Sequence, residues 1–205
     1  NSISILIKYM KIRPDVGCIG PKIVNSDGSF QISCKRSFPY LKVSIPKLLK
    51  LNKLFPDSKY LNKYNLLHLP PNQIHEVDAI SGSFMLIRSD VIKKIGFFDE
   101  KYFMYAEDLD YCYRIKKNGF KVIYNPNSEI VHYKGGCSDK TSINLRKIFY
   151  ESMYIFFNKY KDDIPTWRFM VPYVKLGIIM MIGFSYLKIF AFKSILLLKN
   201  IIKNV

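Results

Sequence analysis

Five of the 16 carboxylates in this chain fall within the twelve positions from Asp99 to Asp110: Asp99, Glu100, Glu107, Asp108 and Asp110. The rest of the sequence is basic, so the cluster runs against the trend. Aromatic residues separate its two halves, in Gly96-Phe97-Phe98-Asp99-Glu100-Lys101-Tyr102-Phe103-Met104-Tyr105-Ala106-Glu107-Asp108-Leu109-Asp110. Carboxylates crowded beside apolar rings repel and desolvate one another, and both effects raise proton affinity. Proteins tune an acid or base for proton transfer in this way. A solvated loop of turn residues is the competing reading of the same stretch.

The neighbouring segments must hold these groups. Glu107 to Asn118 is predicted to be a helix, with Glu107, Asp108 and Asp110 in its first turn, where the positive end of the helix dipole favours anions. Leu109, Cys112 and Ile115 recur at helical spacing and form its apolar face. Asp110 and Arg114, four apart, can pair along one side, and Gly119 ends the helix. Upstream, Val77 to Arg88 reads as a strand interrupted at Ser81-Gly82-Ser83. A glycine inside a strand pattern marks either a structural bulge or a close backbone approach to a ligand. Ser89-Asp90 caps a short helix, Val91 to Ile95, with Gly96 as its C-terminal stop.

Elsewhere, Ser2 to Lys11 is predicted to be a helix with Ile3, Leu6, Ile7 and Met10 on one face, closed before Pro14. Val16 to Val24 reads as a buried strand. Asn25-Ser26-Asp27-Gly28 is a turn signal, and Phe30 to Cys34 alternates, so a hairpin is expected. Arg36 to Gln73 is irregular, with Pro39, Pro46, Pro56, Pro70 and Pro71, and holds a basic amphipathic helix candidate from Lys42 to Leu54. A long loop of this kind is either a binding lid or a surface insertion. Phe120 to Tyr124 and Ser128 to Tyr133 read as two short strands around Pro126, with His132 at the end of the second. Thr141 to Tyr160 is a long amphipathic helix carrying Leu145, Ile148, Phe149, Tyr154, Phe156 and Phe157.

A length of 205 residues suits one domain, or one domain with an appendage. Asn1 to Lys11 lacks the features of a secretory signal, and the absence of an initial Met leads us to expect a chain cut from something longer. Cys18, Cys34, Cys112 and Cys137 show no metal-ligand spacing and read as reduced core residues. The net charge of +16 is compatible with nucleic acid, anionic membrane or mere base-composition bias. No recognised nucleic-acid motif accompanies it. Beyond Asp163 there is no acidic residue. Trp167 to Val205 is apolar with Arg168, Lys175, Lys188, Lys193, Lys199 and Lys203 spaced through it. Its uncharged run, Leu176 to Leu187, is shorter than the roughly 20 residues a spanning helix needs. That composition suits helices lying in a membrane interface, or helices packed on the domain or on a second copy. Internal repeats and low-complexity segments are absent.

Several ordered blocks resemble the C-terminal half of a family 2 glycosyltransferase with a GT-A fold, nearest to the bacterial rhamnosyltransferase-like enzymes that build surface polysaccharides. They are Asp15-Val16-Gly17-Cys18-Ile19-Gly20-Pro21-Lys22-Ile23 with Asp27-Gly28; Ser81-Gly82-Ser83-Phe84-Met85-Leu86-Ile87-Arg88; Gly96-Phe97-Phe98-Asp99-Glu100 with Phe103-Met104-Tyr105; Glu107-Asp108-Leu109-Asp110 with Arg114; and Val131-His132. The resemblance runs from about Pro14 to about Tyr160. It implies an α/β fold: a partial, Rossmann-like GT-A domain lacking its N-terminal nucleotide-binding half (residues 1–163), followed by C-terminal amphipathic helices (164–205).

The resemblance further implies inverting glycosyl transfer from a nucleotide-sugar donor, dTDP-rhamnose among the candidates, to a growing cell-surface polysaccharide or lipid-linked glycan acceptor. Asp108 takes the place of the general base, and Glu107 positions it or holds the acceptor. Ser81, Gly82 and Ser83 match the family's small-residue turn, Asp99 and Glu100 lie on the acceptor side, and Arg114 braces the helix start near the substrate. His132 stands where family members place a metal-proximal histidine, which implies a divalent cation, Mg2+ or Mn2+. Asp108-Leu109-Asp110 is literally an Asp-x-Asp, yet the family's metal-binding Asp-x-Asp belongs at a strand end in the N-terminal half. The implied partners are donor, acceptor, a membrane surface through the tail, and the missing half or a second chain, without nucleic acid. The implied location is cytoplasmic, peripheral at the inner face of the cell membrane. With no donor half, the isolated chain is expected to turn over little. A non-catalytic, membrane-associated remnant or scaffold is the alternative reading.

Overall fold

The computed structural model describes residues 2–49, 51–55, 58–133, 143–164, 168, 171–172, 175–180, 182–184 and 186–187. The chain divides into two compact units, Asn1–Asp99 with Glu107–Gly136, and Glu100–Ala106 with Cys137–Val205.

The first unit is built on β1 (Val16–Val24), whose nearly unbroken burial matches its apolar run. Central strands covered on both faces have this signature. β1 pairs in parallel with β6 (Lys121–Val131) and antiparallel with β5 (Leu86–Ile87). β3 (His75–Val77) adds antiparallel to the far side of β6, giving the order β3-β6-β1-β5. Helix α1 (Ser2–Ile12) buries Leu6 and Met10 into a core of Val16, Ile19 and Ile123. Ile3 and Ile7, expected on the same face, are exposed. The packed side is instead the one that also carries Tyr9.

Four expectations are corrected. First, the predicted hairpin after β1 does not form. Its turn is present, with Gly28 at φ +80°, and Ser29 donating its N–H to Asp27 Oδ1 at 2.9 Å. The return strand, however, makes one bridge, Val24 to Phe30. Ile32–Cys34 then turns as a short 3-10 helix, and β2 (Lys35–Arg36) pairs with β4 (Ala79–Ile80) in a separate ladder.

Second, Val77 to Arg88 is not one interrupted strand. Its residues are shared among β3, β4 and β5 in different ladders, and Ser81–Ser83 lies between the last two.

Third, the two strands expected around Pro126 are one strand, β6. Pro126 lacks the N–H a ladder needs, so Pro126, Asn127 and Ser128 bulge out. Pairing with β1 then resumes, from Pro21↔Asn125 to Lys22↔Glu129. Fourth, the helix expected over Lys42 to Leu54 is split into α2 (Leu41–Leu48), with Pro46 inside it, and α3 (Leu51–Leu54).

Helix α4 (Ser89–Ile95) ends at Gly96, whose φ of +79° requires the freedom of glycine. Helix α5 (Glu107–Lys117) buries Leu109, Cys112 and Ile115 as its periodicity predicts.

In the second unit, α6 (Ile143–Lys159) buries Ser152, Phe156 and Phe157. Ser152 Oγ donates to the Met104 carbonyl at 2.8 Å, and the Tyr105 ring meets Phe149 edge-on at 5.7 Å. Tyr105 (φ 69°) and Ala106 (φ 60°) hold left-handed backbone, a conformation that costs a non-glycine residue about 1–2 kcal/mol. Residues 188–205, with most of the basic tail, lie outside the described residues. So do Trp167 and Cys137.

Candidate active site

The first turn of α5 presents Glu107 and Asp108 toward the Ser81–Ser83 loop. Asp108 is buried and its acceptor capacity is largely taken. Oδ2 accepts from the Arg36 guanidinium at 2.5 Å and from the Gly82 N–H at 2.8 Å. Oδ1 accepts from the Leu109 N–H at 2.8 Å. One lone pair of Oδ1 is left open. Charge-assisted bonds of this kind are stronger than neutral ones, so they fix Asp108 tightly.

Glu107 differs from its neighbour. Its Oε2 is buried without a hydrogen-bond partner. Burial first, and then the Asp108 charge, raise its pKa above the usual carboxylate range. Two adjacent carboxyls therefore sit in unlike environments, the arrangement that separates acid and base roles.

Gly82 is exposed and forms the open side of the pair. A Cβ built there would lie 3.2 Å from Glu107 Oε1 and 3.4 Å from Asp108 Cβ. The missing side chain keeps that approach clear. Ser81 and Ser83 share a hydroxyl hydrogen bond of 2.9 Å, and the Ser81 N–H is anchored on the Cys34 carbonyl at 3.1 Å. The loop is thereby tied to the chain that carries Arg36.

Arg36 is the residue that the sequence did not single out. It lies 72 positions from Asp108, in the unremarkable run Cys34-Lys35-Arg36, and pairing of β2 with β4 brings it in. Its burial works against its charge, but Asp108 more than offsets this and its pKa is raised. Its Nε is buried without a partner. Tyr64 interacts with both Arg36 and Asp108, and burial raises its phenol's pKa. Burial also pushes the Cys112 thiol up to about 12, which leaves it no thiolate for chemistry.

Asp110 is fully buried and pairs with Arg114 Nε at 3.0 Å. Arg114 also donates to the Ile95 carbonyl at 2.8 Å and to the Phe97 carbonyl at 2.7 Å. Its guanidinium covers the Tyr111 ring, and Tyr111 donates its hydroxyl to the Gly96 carbonyl at 2.9 Å. This pair ties the chain after α4 to α5. Asp99 is half-buried and Glu100 exposed.

His132 follows β6, its N–H bound to the Val24 carbonyl at 2.9 Å. Its ring Nδ1 faces the Gln31 side-chain amide at 3.2–3.3 Å. Among the described residues no three His, Cys, Asp or Glu side chains come together to hold a metal ion. The surroundings of His132 therefore do not fit a divalent cation held by these residues alone.

This geometry coincides with clear sequence relationships. The family profile described as "Glycosyltransferase like family 2" matches residues 2–147. An N-acetylglucosaminyl-diphospho-decaprenol L-rhamnosyltransferase of Mycobacterium tuberculosis is 30% identical over 156 residues, covering 76% of this chain and 50% of that protein. Rhamnosyltransferase WbbL of Escherichia coli is 38% identical over 72 residues, 34% of this chain and 27% of its own length. A low-salt glycan biosynthesis hexosyltransferase, Agl10 of Haloferax volcanii, is 31% identical over 70 residues, 33% of this chain and 23% of that enzyme. The chain spans about half the length of the mycobacterial relative, and less of the other two. The mixed parallel and antiparallel α/β sheet is consistent with a GT-A-like domain. With its profile match spanning most of its length, the chain belongs to glycosyltransferase family 2.

Proposed function

We propose that these residues carry the acceptor side and the catalytic base of an inverting glycosyltransferase. It moves a sugar, rhamnose in our reading, from a nucleotide-sugar donor to a glycan or lipid-linked acceptor. The supporting observation is the pair of buried Asp108 and half-buried Glu107 opening α5 against Gly82. In-line displacement at the anomeric carbon needs a base on the face opposite the leaving group. Asp108, held by Arg36 and Gly82 with one Oδ1 lone pair open, suits removal of the acceptor hydroxyl proton. Glu107 Oε2 suits a hydrogen bond from the acceptor, and Gly82 leaves room for its approach. A divalent cation, when bound, would stabilise the departing diphosphate.

In the same reading the donor pocket lies outside these 205 residues. Among the described residues no strand ends in an Asp-x-Asp, since Asp108 and Asp110 open a helix. We expect the isolated chain to turn over little. Donor hydrolysis or transfer by the 205 residues alone, abolished by Asp108→Asn, would refute that part. In the enzyme that carries these residues, Asp108→Asn tests the base directly.

We also propose that the region from residue 164 onward rests on a membrane surface, which would place the protein peripherally at the cytoplasmic face. Leu176, Ile179, Met180, Phe184 and Leu187 are exposed at helical spacing, with Lys175 beside them. Such a face suits an interfacial helix. Among the described residues no helix is long and apolar enough to cross a membrane.

A further inference from the structure

We infer that Arg36 is the positioning residue of the carboxylate pair: with the Gly82 N–H it fixes Asp108 Oδ2, so that Oδ1 faces the acceptor. This rests on the reading of Asp108 as base. An aspartate at a helix start has more than one accessible rotamer, and each would aim its free lone pair differently. Here two donors from different segments converge on one oxygen, Arg36 at 2.5 Å and Gly82 at 2.8 Å. Arg36 is itself held, since β2 pairs with β4 and the same nitrogen also reaches the Ile80 carbonyl at 3.3 Å. The segment carrying Arg36 and the loop carrying Gly82 are joined at Ser81 and Cys34. The two donors therefore move as one body, and Asp108 follows them.

Arg36 does not touch the reacting atoms in this arrangement, and its removal should act through Asp108. In a transfer assay of the enzyme that carries these residues, Arg36→Gln is expected to lower kcat on the order of 10²-fold with KM changed less than about threefold, as misplacement of a reacting group does. A raised KM with unchanged kcat would make Arg36 a substrate-binding group and overturn the inference.

A readout independent of turnover separates this from failure of the base assignment. In the full chain, NMR side-chain couplings should report one Asp108 rotamer. Arg36→Gln should average it, Arg36→Lys should largely restore it, and the Glu107 carboxyl should titrate higher in Arg36→Gln than in the parent. An unchanged rotamer and an unmoved Glu107 titration would contradict the inference even if Asp108 proves to be the base. If Arg36→Gln does not fold, the double variant Arg36→Gln/Asp108→Asn removes the stranded carboxylate and is expected to fold. Failure of the double variant as well would show Arg36 to be merely structural.

Discussion

The Gly82 N–H donates to Asp108 Oδ2 at 2.8 Å across 26 residues of sequence, so the backbone of a glycine loop is one of the groups that aim a carboxylate. Gly82→Ala keeps that N–H but adds a Cβ 3.2 Å from Glu107 Oε1. The carboxylate end can yield by a few tenths of an ångström, and alanine reduces unfolded-chain entropy. We expect stability within about 1 kcal/mol of the parent, with transfer reduced on the order of tenfold or more by the blocked approach. Thermal unfolding and a transfer assay, both on the enzyme that carries these residues, check this. Undiminished transfer would show that substrate does not pass Gly82.

Breaking the Asp110–Arg114 pair should show first in stability. Arg114→Met removes the ion-pair partner of a fully buried carboxylate and two donors to the Ile95 and Phe97 carbonyls. Breaking a buried pair from one side typically costs about 3–5 kcal/mol, so a drop of that order is expected in chemical denaturation. Asp108→Asn likewise removes the counter-charge of a largely buried guanidinium, Arg36, so a loss of stability is expected there too.

Asp110 and Arg114 illustrate how far the sequence could be read. Helix α5 was legible because Leu109, Cys112 and Ile115 keep a helical period and Gly119 stops it. The i,i+4 Asp110–Arg114 pair follows from that period. β1 was legible because a strand covered on both faces is an unbroken apolar run. The segment Phe30 to Cys34 misled because its alternation looks local. In the fold, the chain leaves β1 after one bridge, and Lys35 and Arg36 pair with Ile80 and Ala79. Arg36 was invisible for the same reason: nothing local distinguishes it from the other 31 basic residues, and only long-range pairing sets it against Asp108. Pro126 correctly announced a break in hydrogen bonding. It could not say that β6 would bulge and rejoin β1 rather than end.

Glu107 should leave a pH signature in stability. Its raised pKa means that the folded state binds this proton more tightly than the unfolded state does. Its contribution is therefore fully present below the ordinary glutamate value, about 4.3, and is lost as pH rises through the folded value. Glu107→Gln removes the loss. The stability of Glu107→Gln relative to the parent should increase from pH 4 toward neutrality and then level off, as measured by urea unfolding across that range. A relative stability that falls with pH would mean that Glu107 is held as a carboxylate instead.

The tail is testable by flotation. The full chain should rise with vesicles rich in anionic lipid, and removal of residues 167–205 should leave it at the bottom of the gradient. High salt should weaken the interaction, since basic side chains near anionic lipid act through a screened potential. Equal flotation with and without the tail would rule out its membrane role.

Asp108 carries the central claim. In the enzyme containing these residues, Asp108→Asn should lower the transfer rate about 10²–10⁴-fold, the usual contribution of a positioned base, while the donor dissociation constant stays within about threefold of the parent's. Single-turnover transfer measured alongside donor binding gives both numbers. Transfer at or near the parent rate in Asp108→Asn would contradict the assignment of the base.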